Sequence, residues 1–498
     1  MALQFRKREI SCLHNVLTQV QNLEQTQELH IPEGMPGVGH IPGSWGQVLI
    51  RSKEWNGDRI RLSGGIQVWL LYTPENDGPC QTLESWIPFQ TEFDLPQNCR
   101  EGRIRVKSLL RSVDARPVSA GKILTRAGIG LLVQCWSPET SEIFQPEGEE
   151  EGVELLKETW PVQIFKETGE KVFALDEALS LPGSQQMPEK LLYYRLSAET
   201  TDQRVMGNKL VFRGNAVLHL LYSAEDGQIH TWDFELPFSQ YVQLEESFSA
   251  DAGGDVLVEV TSLELNRDAQ GQLNLHAQLT GQYLITDREM LEIVADAFSP
   301  VRELDLCHTR LDIPVMLEGR QEMLRAEKML HVPQENIVDI QILPEFPRSW
   351  QEGDTLTVEQ SGVIRLLSRD SEGRLQGDSC RCEGKLPLKT SSESQLFALP
   401  AAPKLQVQGG AGETAVKTEL PMMLRFSAGA GMNMVTQIQP GEERPVSENR
   451  PSLILCRAGE KSLWDLARQN GSRVNLIREA NGLEGNPDPD RMLLIPVV

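Results

Sequence analysis

Residues able to do chemistry are common in this chain, but few stand at spacings that chemistry requires. The eight histidines form no HExxH pair, and neither a GxSxG elbow nor a GxxxxGK[ST] loop ahead of a helix is present. Glu149, Glu150 and Glu151 could offer acid–base carboxylates or calcium ligands; a run of like charge between two patterned segments reads first as a solvated link. The glycines of GGAGE at Gly409 and SAGAGMN at Ser427 suggest phosphate-cradling loops. They lack the following lysine and the strand–loop–helix setting, so turns or connectors are expected there. Cys380 and Cys382 could chelate a soft metal or simply share one face of a strand, and none of the eight cysteines has CxxC spacing. Reduced thiols, no metal, no cofactor and no catalytic residue are predicted, and with them a binding protein instead of an enzyme.

The best candidate site lies in the last fifty residues, SLILCRAGEKSLWDLARQNGSRVNLIREANGLEGNPDPDRMLLIPVV. Short apolar segments, LILC and MLLIP, enclose two helical patterns, so the order β, α, α, β is expected over 451–498. Ser462 can cap the first helix with Asp465 three positions on, and Leu463, Leu466 and Ala467 then share a face. Gly471 and Asn481-Gly482 supply the left-handed residues that end helices. Two loops flank this arrangement, and their residues Gly459, Glu460, Lys461, Ser462, Trp464, Asn481 and Gly482 are the candidates for ligand contact. Trp464 could stack on a sugar face or pack as core.

Other elements must hold that tail. At 498 residues the chain needs several cores, and 40% hydrophobic with 24% charged residues suits folded domains. The net charge is −23, while the segment from Arg450 to Val498 holds 7 Lys+Arg against 6 Asp+Glu, so all the acidity lies upstream. Such a field disfavours phosphate backbones and anionic lipid, and nucleic acid is not expected as a partner. The first residues carry no secretory signal pattern, and no stretch approaches the roughly 20 apolar residues of a spanning helix. A cytoplasmic chain without a transmembrane segment is therefore expected.

A repeat with a period near 150 residues organises everything before the tail. QELHIPEG, ALSLPGSQ and MLHVPQEN centre on Pro32, Pro182 and Pro333. RIRLSGGIQVWLLYTPENDGPCQTLESWIPF and KLVFRGNAVLHLLYSAEDGQIHTWDFELPF then match, bringing Tyr72 onto Tyr222 and Phe89 onto Phe238. The third copy keeps Leu366, Leu367 and Pro387 but lacks the tyrosine. Alternation at Ile66, Val68, Leu70 and at Ala216, Leu218, Leu220 predicts hairpins joined by PENDG, AEDGQ and SEGR turns. The fold class expected is mainly β: three tandem antiparallel sandwich-like repeats at 1–145, 146–300 and 301–440, a linker at 441–450 and the small βααβ domain at 451–498.

The tail resembles the LysM family through Gly459, Leu463, Trp464, Leu466, Ala467, Asn481, Leu494, Ile495 and Pro496. It departs from that family's pattern in the GEKSLW loop, one residue longer than usual, and in PDRMLL, which lacks the glycine before the last strand. The repeats resemble the DUF3794 or SPOCS domain through the IPF and LPF strand ends, the paired LLY strands and the FSPVRELDL junction. Together these features are similar to the SipL-type spore-coat morphogenetic proteins. That resemblance implies a scaffold made in the mother cell and recruited to the forespore surface, whose LysM region docks a coat-organising ATPase of the SpoIVA type. The alternative is a reader of peptidoglycan or cortex glycan, since most LysM modules bind N-acetylglucosamine polymers.

Overall fold

The computed structural model describes residues 4–498 apart from 77, 97, 98, 100, 149–151, 269, 270, 390–394, 410, 411, 446–450 and 486. The triplet Glu149–Glu151 and the second half of the expected linker, 446–450, therefore lie outside the described residues. The chain is mainly β, and its two described α-helices both fall in the tail.

The first strand group runs β1 (Phe5–His30), β2 (Val38–Asn56), β3 (Arg59–Pro74), β4 (Gln81–Asp94), β5 (Arg103–Ser119) and β6 (Lys122–Pro146). The second is β7 (Glu154–Leu179), β8 (Pro188–Met206), β9 (Lys209–Ala224), β10 (Ile229–Gln243), β11 (Gly253–Arg267) and β12 (Leu273–Phe298). In the third, β13 (Arg302–Leu330) precedes β14 (Ile337–Pro344), β15 (Arg348–Glu352), β16 (Thr355–Arg369) and β17 (Leu375–Lys389). It closes with β18 (Gln395–Pro400), β19 (Lys404–Gly409) and β20 (Thr414–Glu443), the last reaching beyond residue 440 because Glu443 still pairs with Arg302.

One strand order recurs. The middle strands form meanders, β2-β3-β4 and β10-β9-β8, with β16 flanked by β14, β15 and β17 in the third group. The outer strands form the orders β1-β6-β5 and β11-β12-β7, and β13-β20 is edged by β18 and β19. A single pairing, Val315 with Ile164, joins β13 to β7 and makes seven strands one sheet.

The repeated motif residues have structural reasons. Tyr72 and Tyr222 are both fully buried at matching positions in β3 and β9. Phe89 stands opposite Gly64, and Phe238 opposite Gly214. A Cβ on Gly214 would run into the Glu199 carbonyl and the Phe238 ring, so the aromatic occupies the space that the glycine leaves.

The strands are much longer than the short segments expected, because the outer hairpins have two jobs. One half of each packs on its own meander, as where Leu29, Ile60, Leu70, Val113 and Ile129 share one core. The other halves meet each other: Ile10, Cys12 and Ile143 join Ile164, Leu291 and Ile293 with Ile313, Met432 and Met434. The SAGAGMN segment is no turn or connector, as its glycines had suggested. It lies inside β20, with Gly429 opposite Pro314 and Gly431 opposite Asp312. A Cβ on Gly431 would meet the ends of the exposed Arg310 and Asp312 side chains, which can swing aside, and one on Gly429 would meet nothing within 4 Å. Of GGAGE, Gly409 ends β19 and the next two residues lie outside the described set. Cys380 and Cys382 lie two apart on β17, with Cys382 fully buried against the Gly362 carbonyl.

Each pair of strand groups is in contact. Trp45 stacks on Tyr193 at 5.1 Å, and Trp69 meets Tyr194 edge-on at 4.8 Å, between the first and second groups. Between the first and third, Arg365 donates to the Val113 carbonyl at 2.8 Å, and Arg111 pairs with Glu345 at 3.1 Å. His219 of β9 joins the second to the third. Its Nδ1 lies 2.6 Å from Asp233, and its Nε2 makes an ionic contact with Asp339 of β14 at 3.2 Å. Burial pushes this imidazole down, but the two carboxylates outweigh it and hold it up at about 9.

Candidate functional site

The tail consists of β21 (Leu453–Arg457), α1 (Leu463–Asn470), α2 (Val474–Asn481) and β22 (Met492–Pro496), with β21 antiparallel to β22. Ser462 caps α1: its hydroxyl accepts from the Asp465 N–H at 3.1 Å while the Asp465 carboxylate accepts from the Ser462 N–H at 3.3 Å. Gly471 and Gly482 both sit at φ 60° and end the two helices. Leu463, Leu466, Ala467, Ile477, Leu493 and Ile495 fill the interior.

Asn481 has a fixed structural task. Its Nδ2 donates to the Ile477 carbonyl at 2.8 Å and the Leu494 carbonyl at 2.6 Å, and its Oδ1 accepts from the Leu494 N–H at 2.8 Å. The side chain thereby clasps the end of α2 to β22. The two candidate loops are also knitted together, since the Ala458 and Gly459 amides donate to the Arg491 and Pro489 carbonyls, both at 2.9 Å. Gly459 has φ 61° and open space where a Cβ would be. Glu460 and Lys461 are exposed beside it, and Lys461 donates to Gln469 at 2.8 Å. Gly459, Glu460, Lys461, Ser462, Asn481 and Gly482 thus frame one rim of the module.

Trp464 is not part of that rim. It is 9% exposed, its ring meets Phe298 edge-on at 4.7 Å, and its Nε1 donates to Asp296 at 3.2 Å. Arg468 pairs with the same carboxylate, and the Val474 amide donates to Glu154 at 3.4 Å. The tail is seated on the ends of β7 and β12 through the helix face that presents its tryptophan. Phe298 belongs to the FSPVRELDL junction, which reads as a boundary in the sequence and here supplies the tail's socket.

The module has a second feature beside its loops. The outer face of the two-stranded sheet is apolar and uncovered: Leu453 is 52% exposed, Leu455 62%, Met492 52% and Leu494 38%. Leu455 and Leu494 are cross-strand partners, so the exposed side chains adjoin. LILC and MLLIP showed the signal, being apolar at every position where a half-buried strand would alternate.

Among the described residues no group of three or more His, Cys, Asp or Glu is placed to hold a metal ion, and no helix is long and apolar enough to cross a membrane. A family model described as SipL, SPOCS domain matches residues 188–266, from the start of β8 to the penultimate residue of β11. That match covers part of the second strand group and connects the chain to sporulation. No curated protein and no solved structure matches the chain.

Proposed function

We propose that this protein is a non-catalytic morphogenetic scaffold of the spore envelope, in which three SPOCS-like sandwich units form a platform and the LysM-type tail docks a coat-organising partner protein at the forespore surface. The SPOCS match at residues 188–266 carries the sporulation part of this reading. The division into three units is supported by the recurring strand order, and a binding role by the apolar outer face of β21 and β22. That face would be the contact, with a SpoIVA-type ATPase as partner and the burial of Leu453, Leu455, Met492 and Leu494 as its main driving force.

Glycan recognition is the competing outcome, and it draws on the same tail through the Gly459–Ser462 and Asn481–Gly482 loops. An aromatic platform for the sugar ring would have to come from elsewhere than Trp464, whose ring is taken up by Phe298. The deciding experiment compares the full chain with a Leu455→Glu, Leu494→Lys double variant in a sporulating host. The expected result is a fluorescent ring around the forespore and co-purification of the partner, both lost in the variant. A diffuse wild-type signal would remove the scaffold reading. Co-sedimentation of both proteins with purified peptidoglycan would move the assignment to the wall-binding alternative.

A further inference from the structure

The outer face of the second meander leaves open the charges that the first meander neutralises. In the first copy Asn56, Arg59 and Asp94 form one row across β2, β3 and β4, and Glu54, Arg61 and Glu92 form the next. Arg59 pairs with Asp94 at 3.2 Å, and Arg61 with Glu92 at 2.9 Å. The matching rows across β8, β9 and β10 are Met206, Lys209 and Gln243, then Arg204, Val211 and Tyr241, then Asp202, Arg213 and Ser239. Arg204 thus stands where the first copy has Glu54, Tyr241 where it has Glu92, and Gln243 where it has Asp94. In the third copy the neighbouring charges are again joined, Lys385 to Glu359 at 3.3 Å. Elsewhere a sign change between copies closes a contact inside the molecule, as where buried Arg105 of β5 pairs with Asp255 of β11 at 2.5 Å. The change from Glu54 to Arg204 faces solvent.

Three cations, Arg204, Lys209 and Arg213, therefore share this face with one carboxylate, Asp202, and all four are exposed. None of the three cations has an ion pair among the described residues. Beside them Tyr241 is 63% exposed and Met206 52%. Three rows about 7 Å apart on three strands about 4.8 Å apart make a patch of about 14 by 10 Å. On a chain of net charge −23 its sign is opposite to the general field. Counterions confine that field to about 8 Å at physiological salt. A narrow ligand can then meet the patch alone, whereas an anionic bilayer would also face the acidic surface around it.

We infer that this face docks an extended acidic segment of a partner protein, whose carboxylates pair with Arg204, Lys209 and Arg213 and whose apolar residues cover Tyr241 and Met206. It is a contact separate from the tail, and all its residues lie within the stretch that the SPOCS model matches. Exposed ion pairs are individually weak, so the contact adds avidity to an assembling layer and does not hold a partner by itself.

The test is fluorescence anisotropy of a fluorescein-labelled peptide of alternating glutamate and tyrosine, titrated with the full chain and with three variants. The wild type should bind, with an affinity that falls as sodium chloride is added. The Arg204→Gln, Lys209→Gln, Arg213→Gln triple variant should bind about tenfold more weakly, through the loss of three exposed ion pairs. Tyr241→Glu with Gln243→Asp, which copies the first meander's carboxylates and keeps every cation, should weaken binding comparably. Arg59→Gln with Arg61→Gln should leave the affinity within about twofold, since those cations are already paired. All the substituted side chains are exposed, so each variant should fold. No binding by the wild type, or equal affinity in the wild type and both second-copy variants, would overturn the inference. Sedimentation of the wild type with phosphatidylglycerol vesicles, lost in the triple variant, would overturn it in favour of an anionic membrane.

Discussion

Neutralising His219 should loosen the contact between the second and third strand groups, and the pH at which this occurs follows from its surroundings. The imidazole lies between Asp233 and Asp339, with Arg195 opposing its charge, Tyr193 against the ring and Gln341 beside Arg195. Its pKa is pushed up to about 9, above the value of about 6.5 for an unfolded chain. The stability it contributes is therefore complete below about pH 6.5 and disappears as the pH rises through about 9. At 1.36 kcal/mol per pH unit the full effect is about 3 kcal/mol, and screening of Asp233, which is 60% exposed, reduces a realistic figure to about 2 kcal/mol. With about 2.1 cal/mol/K of unfolding entropy per residue, this corresponds to about 2 °C if the β body melts as one unit. It becomes about 6 °C if a group of roughly 150 residues melts alone.

The assay is differential scanning calorimetry of wild type and His219→Gln at pH 6, 7.5 and 10. The variant should melt lower at pH 6 and 7.5 and converge with the wild type at pH 10. Other groups that titrate near pH 10 affect both proteins and cancel in the difference. Asp339→Asn should reproduce the effect more strongly than Asp233→Asn, because Asp339 is 4% exposed and lies across the contact. An equal gap at all three pH values would refute the reasoning, since it would mean that His219 acts by packing and not by charge.

Two further outcomes can be checked on purified protein. Gly214→Ala should destabilise the second strand group by about 1–3 kcal/mol by overpacking between the Glu199 carbonyl and the Phe238 ring, whereas Gly57→Ala, in open space but at positive φ, should cost only about 1 kcal/mol; urea midpoints measure both. Asn481→Ala removes two hydrogen bonds between α2 and β22 and one within α2, at about 1 kcal/mol each, and should increase proteolytic release of the tail while leaving the β body intact.

Local features were the most legible in the sequence. Ile66, Val68 and Leu70 alternate as strand residues with a buried face should, and all three are fully buried. Ser462, Gly471 and Gly482 perform the capping tasks that their types announce. What joins distant segments was harder to see. The socket for Trp464 lies 168 positions away at Asp296, and no local period links the two. The glycines in β20 looked like turn residues because composition does not show that the segment pairs with β13 across its whole length.

The Arg105–Asp255 pair did leave a trace. Its members are 150 positions apart, one repeat period, so a single site in the repeat carries opposite charges in consecutive copies. A repeat position that changes sign between copies is what a contact between the copies themselves would produce.

The mutual contacts of the three strand groups bear on how such a chain can evolve. In an open stack, a duplicated or deleted repeat changes the length and leaves every remaining junction as it was. Here the first copy touches the second, the second touches the third and the third returns to the first through Arg365 and Arg111. Loss of one group would expose two interfaces at once. Change has acted on the individual copies within this arrangement, as in the third, which has Ser368 at the Tyr72 position and Leu388 after Pro387, where the first two have Phe89 and Phe238.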